Sequence, residues 1–119
     1  MSCLFRSLSY FISNLKTEEL RYIITDYISK DPILIPPDTR LSTILSIDEI
    51  SLDTYSKNMR KSETWGGAIE IKTFCELFKI KVSVYVISER RYIDFFPTDW
   101  DGNRCIKISW TGNHYEPLE

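Results

Sequence analysis

The spacing of apolar residues changes once along this chain of 119 residues, close to residue 79. Before that point they recur every three or four positions, which is typical of helices with one buried face. From residue 80 to residue 86 they alternate with other side chains, as in a strand with one buried face. Helices followed by strands predict an α+β fold, with a small, mostly antiparallel sheet flanked by helices.

Two helices are predicted within the first thirty residues. The first begins near Cys3 and carries apolar residues at helical spacing: Leu4, Phe5, Leu8, Phe11, Ile12 and Leu15. Thr17 fits the N-cap of the second, because the two glutamates that follow it complement the helix dipole. This helix should end before Asp31-Pro32, since the residue preceding a proline disfavours the α region.

The middle of the chain predicts a loop and two more helices. The segment from Pro32 to Arg40 holds three of the five prolines and predicts the loop. Ser46 and Glu49 match a capping box, which predicts a polar helix ending near Arg60. A further helix is predicted from Ala68 to Phe78. Trp65, Gly66 and Gly67, which precede it, are interpreted as architectural, because the glycines allow a close backbone approach or a positive φ.

Three strands are predicted after residue 86. Tyr92 to Phe96 and Cys105 to Trp110 carry apolar and aromatic residues typical of strands. Asp101-Gly102-Asn103 is a turn-forming sequence between them. A last short strand is predicted to begin near His114.

Composition excludes several classes of function. The net charge of −2 comes without a basic block, which argues against a nucleic-acid partner. No apolar run reaches the roughly 18–20 residues of a membrane span, and the first residues do not predict a signal peptide. The three cysteines have no paired spacing, so we expect free thiols in a reducing compartment. We therefore expect a cytoplasmic location and leave the nucleus open.

The only histidine, His114, limits the chemistry that this chain can perform. It excludes a site with several histidine ligands to a metal, and any imidazole catalysis must involve this residue. Glu116 should project from the same strand face, where its carboxylate could orient the imidazole. Asn113 is an alternative polar partner. The ordinary alternative is a polar surface residue at the end of a strand.

Cys3 is the candidate nucleophile. A thiol at the start of a helix lies near unpaired N–H groups, which favour the thiolate and could bind an oxyanion. The alternative is a structural cysteine, either buried or exposed near a frayed terminus. Cys75 and Cys105 lie within apolar periodic patterns and are predicted to belong to the core.

Three blocks of sequence resemble the ovarian-tumour (OTU) cysteine proteases, in the order found in that family. Cys3 to Ser9, CLFRSLS, resembles the helix that carries the catalytic cysteine. Tyr55 and Met59, followed by WGGAIEI from Trp65, resemble the central segment. The closing strand pair is represented by Ile106-Lys107-Ile108 and by GNHYE, which contains His114.

This resemblance implies one papain-like OTU domain over residues 1–119 that acts on ubiquitin. Cys3 would attack the carbonyl after the C-terminal Gly-Gly of ubiquitin, His114 would act as the base, and Glu116 would orient His114. The remaining implied site residues would contact the substrate: Trp110, Asn113 and Tyr115. No metal or organic cofactor is required. The expected partners are ubiquitin, polyubiquitin or ubiquitin-like modifiers. We expect the protein to be a monomer and to bind neither nucleic acids nor membranes.

Two departures from the family pattern also lead to expectations. Members carry an Asp-Gly-rich loop before the catalytic cysteine, whereas only Met1 and Ser2 precede Cys3 here. We therefore expect a missing or truncated loop, fewer oxyanion donors and an untethered start of the first helix. Glu116 is one methylene longer than aspartate, so its carboxylate is expected to reach past the imidazole.

The sequence leaves three functional interpretations open. The first is an active OTU-type deubiquitinase, or a fragment of one whose loop before the cysteine lies outside this chain, which the presence of Cys3, His114 and Glu116 together favours. The second is a non-catalytic module that binds ubiquitin, which the short segment before Cys3 favours. The third is an α+β interaction domain that shares only the ancestral fold.

Overall fold

The computed structural model describes residues 2–118, which form five α-helices and six strands. The helices are α1 (Cys3–Ser9), α2 (Thr17–Ser29), α3 (Leu41–Ser46), α4 (Leu52–Met59) and α5 (Ala68–Phe78). The strands are β1 (Ile33–Ile35), β2 (Thr39–Arg40), β3 (Lys81–Val86), β4 (Arg91–Phe95), β5 (Cys105–Trp110) and β6 (Tyr115–Leu118). A short 3-10 turn, Ile87–Glu89, joins β3 to β4.

The main sheet has four strands in the order β4-β3-β5-β6, while β1 and β2 form a separate two-stranded hairpin. β3 and β4 are antiparallel, as are β5 and β6, and the central pair β3 and β5 is parallel. Val86 pairs with Trp110, so the carboxyl ends of both central strands meet at one edge. These features confirm the α+β class and the mostly antiparallel sheet.

A single hydrophobic core joins the helices to one face of the sheet. The first helix packs against α2 and β6 and contributes three almost fully buried side chains: Leu4, Phe5 and Leu8. Burying each of these contributes about 1.5–3 kcal/mol to folding. The position of α1, and of Cys3 at its start, therefore depends on the core. Within residues 2–118, no helix has both the length and the apolar content to cross a bilayer.

The first helix is shorter than its apolar pattern predicts. It ends at Ser9, and the chain then turns through short-range hydrogen bonds from Phe11 N–H to Leu8 O and from Ile12 N–H to Ser9 O. Phe11, Ile12 and Leu15 still pack against the core. The periodic spacing indicated which residues contact the core, and residues after the end of the helix do so as well. The prediction of one long helix was therefore wrong.

The second helix begins and ends close to the predicted positions. The N–H of Lys16 donates to Glu19 Oε1 at 2.9 Å, which places the N-cap at Lys16, one residue before the predicted Thr17. The helix ends at Ser29, before Asp31-Pro32, as predicted.

The segment from 32 to 60 differs most from its prediction. The proline-rich loop contains the β1–β2 hairpin, and α3, which was not predicted, follows it directly. Ser46 ends α3 and does not cap the next helix. Ser51 caps α4 instead, because its Oγ accepts a hydrogen bond from Thr54 N–H at 3.1 Å. Both serines suit an N-cap, and local sequence did not distinguish them.

The remaining elements follow the predicted pattern. Helix α5 and strand β5 have the predicted bounds, and the other strands of the main sheet lie within one residue of theirs. Cys75 is buried, as predicted, but Cys105 is exposed, so its assignment to the core was wrong. Ile106 and Ile108 face the core, and the alternation of the strand turns Cys105 outward.

Gly66 allows a close approach between α1 and the segment that precedes α5. A Cβ atom at this position would lie 2.8 Å from Leu4 Cδ2 and 3.1 Å from Phe5 Cε2. Both of these side chains are buried and have little room to move. The prediction of a close backbone approach is confirmed for Gly66.

Replacing Gly66 with alanine should destabilise the protein, because Leu4 and Phe5 would have to shift within a close-packed core. We expect Gly66→Ala to lower the free energy of unfolding by about 1–3 kcal/mol, the usual cost of overpacking. Urea unfolding of the variant and of the original protein measures this difference. Gly67→Ala is the matched control, since a Cβ there meets no atom within 4 Å. Equal losses in both variants would contradict the packing argument.

Candidate active site

Cys3 is the first residue of α1 and is partly exposed. The first backbone hydrogen bond of this helix runs from Arg6 N–H to Ser2 O at 2.8 Å. The N–H groups of residues 3 to 5 therefore precede the first intrahelical bond and have no acceptor within the helix. The buried side of α1 holds the helix against the core, and the thiol lies at its exposed end.

The residue before Cys3 is anchored by hydrogen bonds. Ser2 Oγ lies 2.7 Å from Glu18 Oε2 and 3.2 Å from Ser62 O, and it accepts a hydrogen bond from Arg21 Nη2 at 3.1 Å. These contacts connect Ser2 to α2 and to the segment after α4. The expectation that the start of the first helix would be untethered was therefore wrong.

His114 lies at the end of a tight turn between β5 and β6. Thr111 N–H donates to His114 O at 3.0 Å, and the flanking residues Trp110 and Tyr115 form the last strand pair. Gly112 has a φ of 110°, a conformation that glycine adopts without strain. The turn therefore fixes the position of the imidazole relative to β5.

Glu116 is the hydrogen-bond partner of the imidazole. His114 Nε2 and Glu116 Oε1 lie 2.9 Å apart. The expectation that the extra methylene of glutamate would carry the carboxylate past the ring was therefore wrong. A carboxylate only accepts, so this bond places the ring proton on Nε2 and leaves Nδ1 free to accept another. Asn113 Oδ1 instead accepts a hydrogen bond from Thr111 Oγ1 at 2.9 Å.

Cys3 and His114 line one cleft, although they lie near opposite ends of the sequence. The cleft has a volume of about 450 Å³ and is lined by Ser2, Cys3, Arg6, Trp65, Asn113 and His114. Within residues 2–118, no hydrogen bond joins the Cys3 thiol to the imidazole. Catalytic hydrogen bonds are often long without substrate and shorten when it binds. The cleft therefore holds a thiol beside an imidazole that a carboxylate orients.

An apolar cavity of about 380 Å³ adjoins this cleft at Trp65. Trp110 and Tyr115 line it, with stacked rings whose centroids are 6.1 Å apart. Of the three residues expected to contact substrate, Asn113 thus lies in the cleft, and the two aromatic residues lie in the adjoining cavity. Their roles in binding stay predictions.

A buried carboxylate supports the segment that carries Trp65. Glu70 is 1% exposed and accepts hydrogen bonds from Gly67 N–H at 2.7 Å and from Tyr55 Oη at 2.6 Å. Burial raises the pKa of Glu70, and the two hydrogen bonds offset part of that effect. Burial and the nearby Glu70 also raise the pKa of Tyr55, which keeps its hydroxyl protonated as the donor.

Comparison with known proteins identifies the family. The family model described as "OTU-like cysteine protease" matches residues 2–115 of this chain. The chain belongs to this family. The resemblance drawn from the three sequence blocks is thus confirmed, and the papain-like OTU fold with it.

Individual OTU relatives agree with the family model over nearly the whole chain. Ubiquitin thioesterase OTU1 of Mus musculus is 28% identical over an alignment of 123 positions, which covers 99% of this chain and 33% of the mouse protein. This chain thus spans about one third of the length of the curated relatives it matches.

Solved structures of OTU domains share this fold. An OTU domain in complex with ubiquitin matches with a TM-score of 0.78 and 25% identity, over 98% of this chain and 62% of that one. The Hazara virus OTU bound to ubiquitin has a TM-score of 0.66 and 18% identity, over 99% and 74% of the two chains. The second likeness shows the fold alone.

Sequence reasoning missed three residues that line the cleft: Ser2, Arg6 and Trp65. Trp65 borders both the cleft and the apolar cavity, but its place before two glycines had suggested an architectural role only. Its side chain is 54% exposed, which is unusual for tryptophan and marks a surface that can hold a ligand. Arg6, on the exposed side of α1, also lines the cleft. Helical spacing alone indicated that Arg6 would be exposed, but not what it would face.

The described part of this OTU domain holds no evident metal centre. Across residues 2–118, no three or more histidine, cysteine, aspartate or glutamate side chains are grouped so that they could hold a metal ion.

The three cysteines should differ in their reactivity toward a small alkylating reagent. Cys3 and Cys105 are accessible, whereas burial raises the pKa of the Cys75 thiol to about 12 and keeps it protonated. Iodoacetamide at neutral pH should therefore modify Cys3 and Cys105 and leave Cys75 intact. Peptide mass mapping reads this pattern, and a denatured sample that is modified at all three thiols is the control. Modification of Cys75 in the folded protein would contradict the assignment.

Proposed function

We propose that this chain is a deubiquitinating cysteine protease that hydrolyses the isopeptide bond after the C-terminal Gly-Gly of ubiquitin. The observation that carries the proposal is one cleft lined by Cys3 and His114, with Glu116 hydrogen-bonded to Nε2 of the imidazole. The names of the relatives, which are ubiquitin thioesterases and OTU domains bound to ubiquitin, support this choice of substrate.

The first half of the reaction forms a thioester. His114 Nδ1 accepts the thiol proton of Cys3, and Glu116 stabilises the resulting imidazolium through Nε2. The Cys3 thiolate attacks the glycine carbonyl, and backbone N–H groups at the start of α1 stabilise the oxyanion. The imidazolium then protonates the lysine amine as the C–N bond breaks, and the amine departs.

The second half of the reaction regenerates the thiol. His114, now neutral, accepts a proton from a water molecule, and the hydroxide attacks the thioester carbonyl. The C–S bond breaks, Cys3 recovers its proton from His114, and ubiquitin departs with a free carboxyl group, which loses its proton to solvent. The cycle consumes one water molecule and involves no redox change.

The two adjoining cavities suit a substrate with a bare Gly-Gly end. We place the two glycines in the catalytic cleft, between Trp65 and Asn113. We place the residues before the glycines in the apolar cavity, against Trp110 and Tyr115. We propose that the partner is ubiquitin or polyubiquitin and that the protein acts as a monomer in the cytoplasm.

A ubiquitin probe with a thiol-reactive electrophile at its C-terminus tests the proposal directly. Because the probe places its electrophile at the position of the scissile carbonyl, we expect a covalent adduct with Cys3. Cys3→Ala should abolish the adduct. Intact-mass analysis followed by peptide mapping measures the yield and the site of labelling.

Cys105→Ser is the matched control for this experiment. Cys105 is more exposed than Cys3 but lies on β5 and does not line the cleft, so its loss should leave the adduct unchanged. Labelling at Cys105 or Cys75 would overturn the catalytic assignment. Ubiquitin binding without any adduct would instead indicate a binding module.

His114 should contribute more to the rate of hydrolysis than Glu116, because His114 exchanges protons with the thiol and Glu116 acts only through His114. We expect His114→Ala to lower kcat by at least about 10²-fold, since it removes the general base. Glu116→Ala should lower kcat less, because both side chains of the pair are substantially exposed and water can replace part of the interaction between the carboxylate and the imidazole. Steady-state hydrolysis of a fluorogenic ubiquitin amide measures both values, with Glu89→Ala, an exposed carboxylate outside the cleft, as the control. A larger loss for Glu116→Ala than for His114→Ala would contradict these roles.

A further inference from the structure

A buried arginine on α2 connects the start of α1 to the segment after α4. Arg21 is 1% exposed, and its Nη1 donates to Met59 O at 2.8 Å. Its Nη2 donates hydrogen bonds to Ser62 O at 3.2 Å and to Ser2 Oγ at 3.1 Å. Its Nε lies 3.3 Å from Glu18 Oε1. One guanidinium therefore contacts three separate parts of the chain.

The same guanidinium also contacts the first turn of α1. Its central carbon lies 4.2 Å from the centre of the Phe5 ring, within the range of a cation–π contact. Phe5 is fully buried and also touches the segment at Gly66. Arg21 therefore contacts the residue before Cys3 and the residue two positions after it, without lining the cleft itself.

Packing alone does not account for an arginine at this position. Moving a charged group out of water is costly, and an apolar side chain of similar volume would fill the same space at lower cost. Apart from the ion pair with Glu18 on its own helix, the polar contacts of Arg21 are directed at Ser2 and at two backbone carbonyls. These groups belong to the segments on either side of the cleft, since Ser62 leads to Trp65.

We propose that Arg21 is a positioning residue for the nucleophile. It acts through Ser2 and Phe5 to hold Cys3 at a fixed place relative to the wall that carries Trp65. The consequence for catalysis rests on the proposed function, because a displacement of about 1 Å at a nucleophile can cost on the order of 10²-fold in rate. The hydrogen bond to Ser2 explains how this chain secures the start of α1.

Steady-state kinetics with a fluorogenic ubiquitin amide test the proposal in four variants of the whole chain. Arg21→Met should lower kcat about 10- to 100-fold with KM within about twofold, because ubiquitin contacts other surfaces while the thiol is displaced. Arg21→Lys should recover part of kcat. Ser2→Ala removes one contact of Arg21 and should lower kcat in the same direction by a smaller factor.

Thr25→Ala is the matched control. Thr25 is also fully buried on α2, but its Oγ1 donates only within that helix, to Tyr22 O at 3.1 Å. We expect this variant to lower the melting temperature and to leave kcat unchanged at a temperature where all variants are folded. Equal kcat losses in Thr25→Ala and Arg21→Met, or a loss confined to KM, would overturn the proposal.

Amide hydrogen exchange separates failure of this inference from failure of the proposed function. If the original chain does not cleave ubiquitin, the proposed function fails. The exchange rate of the Arg6 N–H, which donates to Ser2 O, still measures how firmly the start of α1 is held. Exchange at Arg6 should be faster in Arg21→Met than in Thr25→Ala at matched stability. Equal exchange rates would overturn the positioning role, whatever the activity.

Discussion

The packing of α1 into the core is the interaction on which the rest of the site depends. A helix of seven residues is not stable on its own in water, since nucleation costs more than so few hydrogen bonds return. It persists because Leu4, Phe5 and Leu8 are buried between α2 and β6 and because Gly66 lets the neighbouring segment approach closely. The thiol is at the exposed end of this helix, so the geometry of the cleft follows from the core.

The sheet supplies the other half of the site. The parallel pairing of β3 with β5 brings the ends of both strands to one edge, and the antiparallel return of β6 places His114 there. Glu116 lies on β6, two residues after His114, and the distance between His114 Nε2 and Glu116 Oε1 is 2.9 Å. Two buried polar groups then connect the walls of the cleft: Arg21 contacts both sides, and Glu70 secures the loop beside Trp65.

The accuracy of the sequence predictions followed the strength of the local signal. The bounds of α5 and β5 were correct because a strong apolar period coincides with clear ends in both elements. The first helix was predicted too long because Phe11 and Leu15, which follow the helix at helical spacing, pack partly buried against the core. Ser46 and Ser51 are both plausible caps, and the choice between them was made by packing and not by propensity. Cys105 was assigned to the core although the alternation in β5, applied strictly, places it outside.

The sequence by itself determined that the helices precede the main sheet and which family the chain resembles, and it offered Glu116, with Asn113 as the alternative, as the partner of His114. Each of these depends on residues close together in the chain, where the periods of helix and strand decide which side chains share a face. Only the tertiary structure decided that Cys3 and His114 line one cleft, that Trp65 borders it, and that the buried Arg21 contacts Ser2 beside the nucleophile. Those contacts join residues far apart in sequence, and their distances follow from how the whole core packs, which no local pattern encodes.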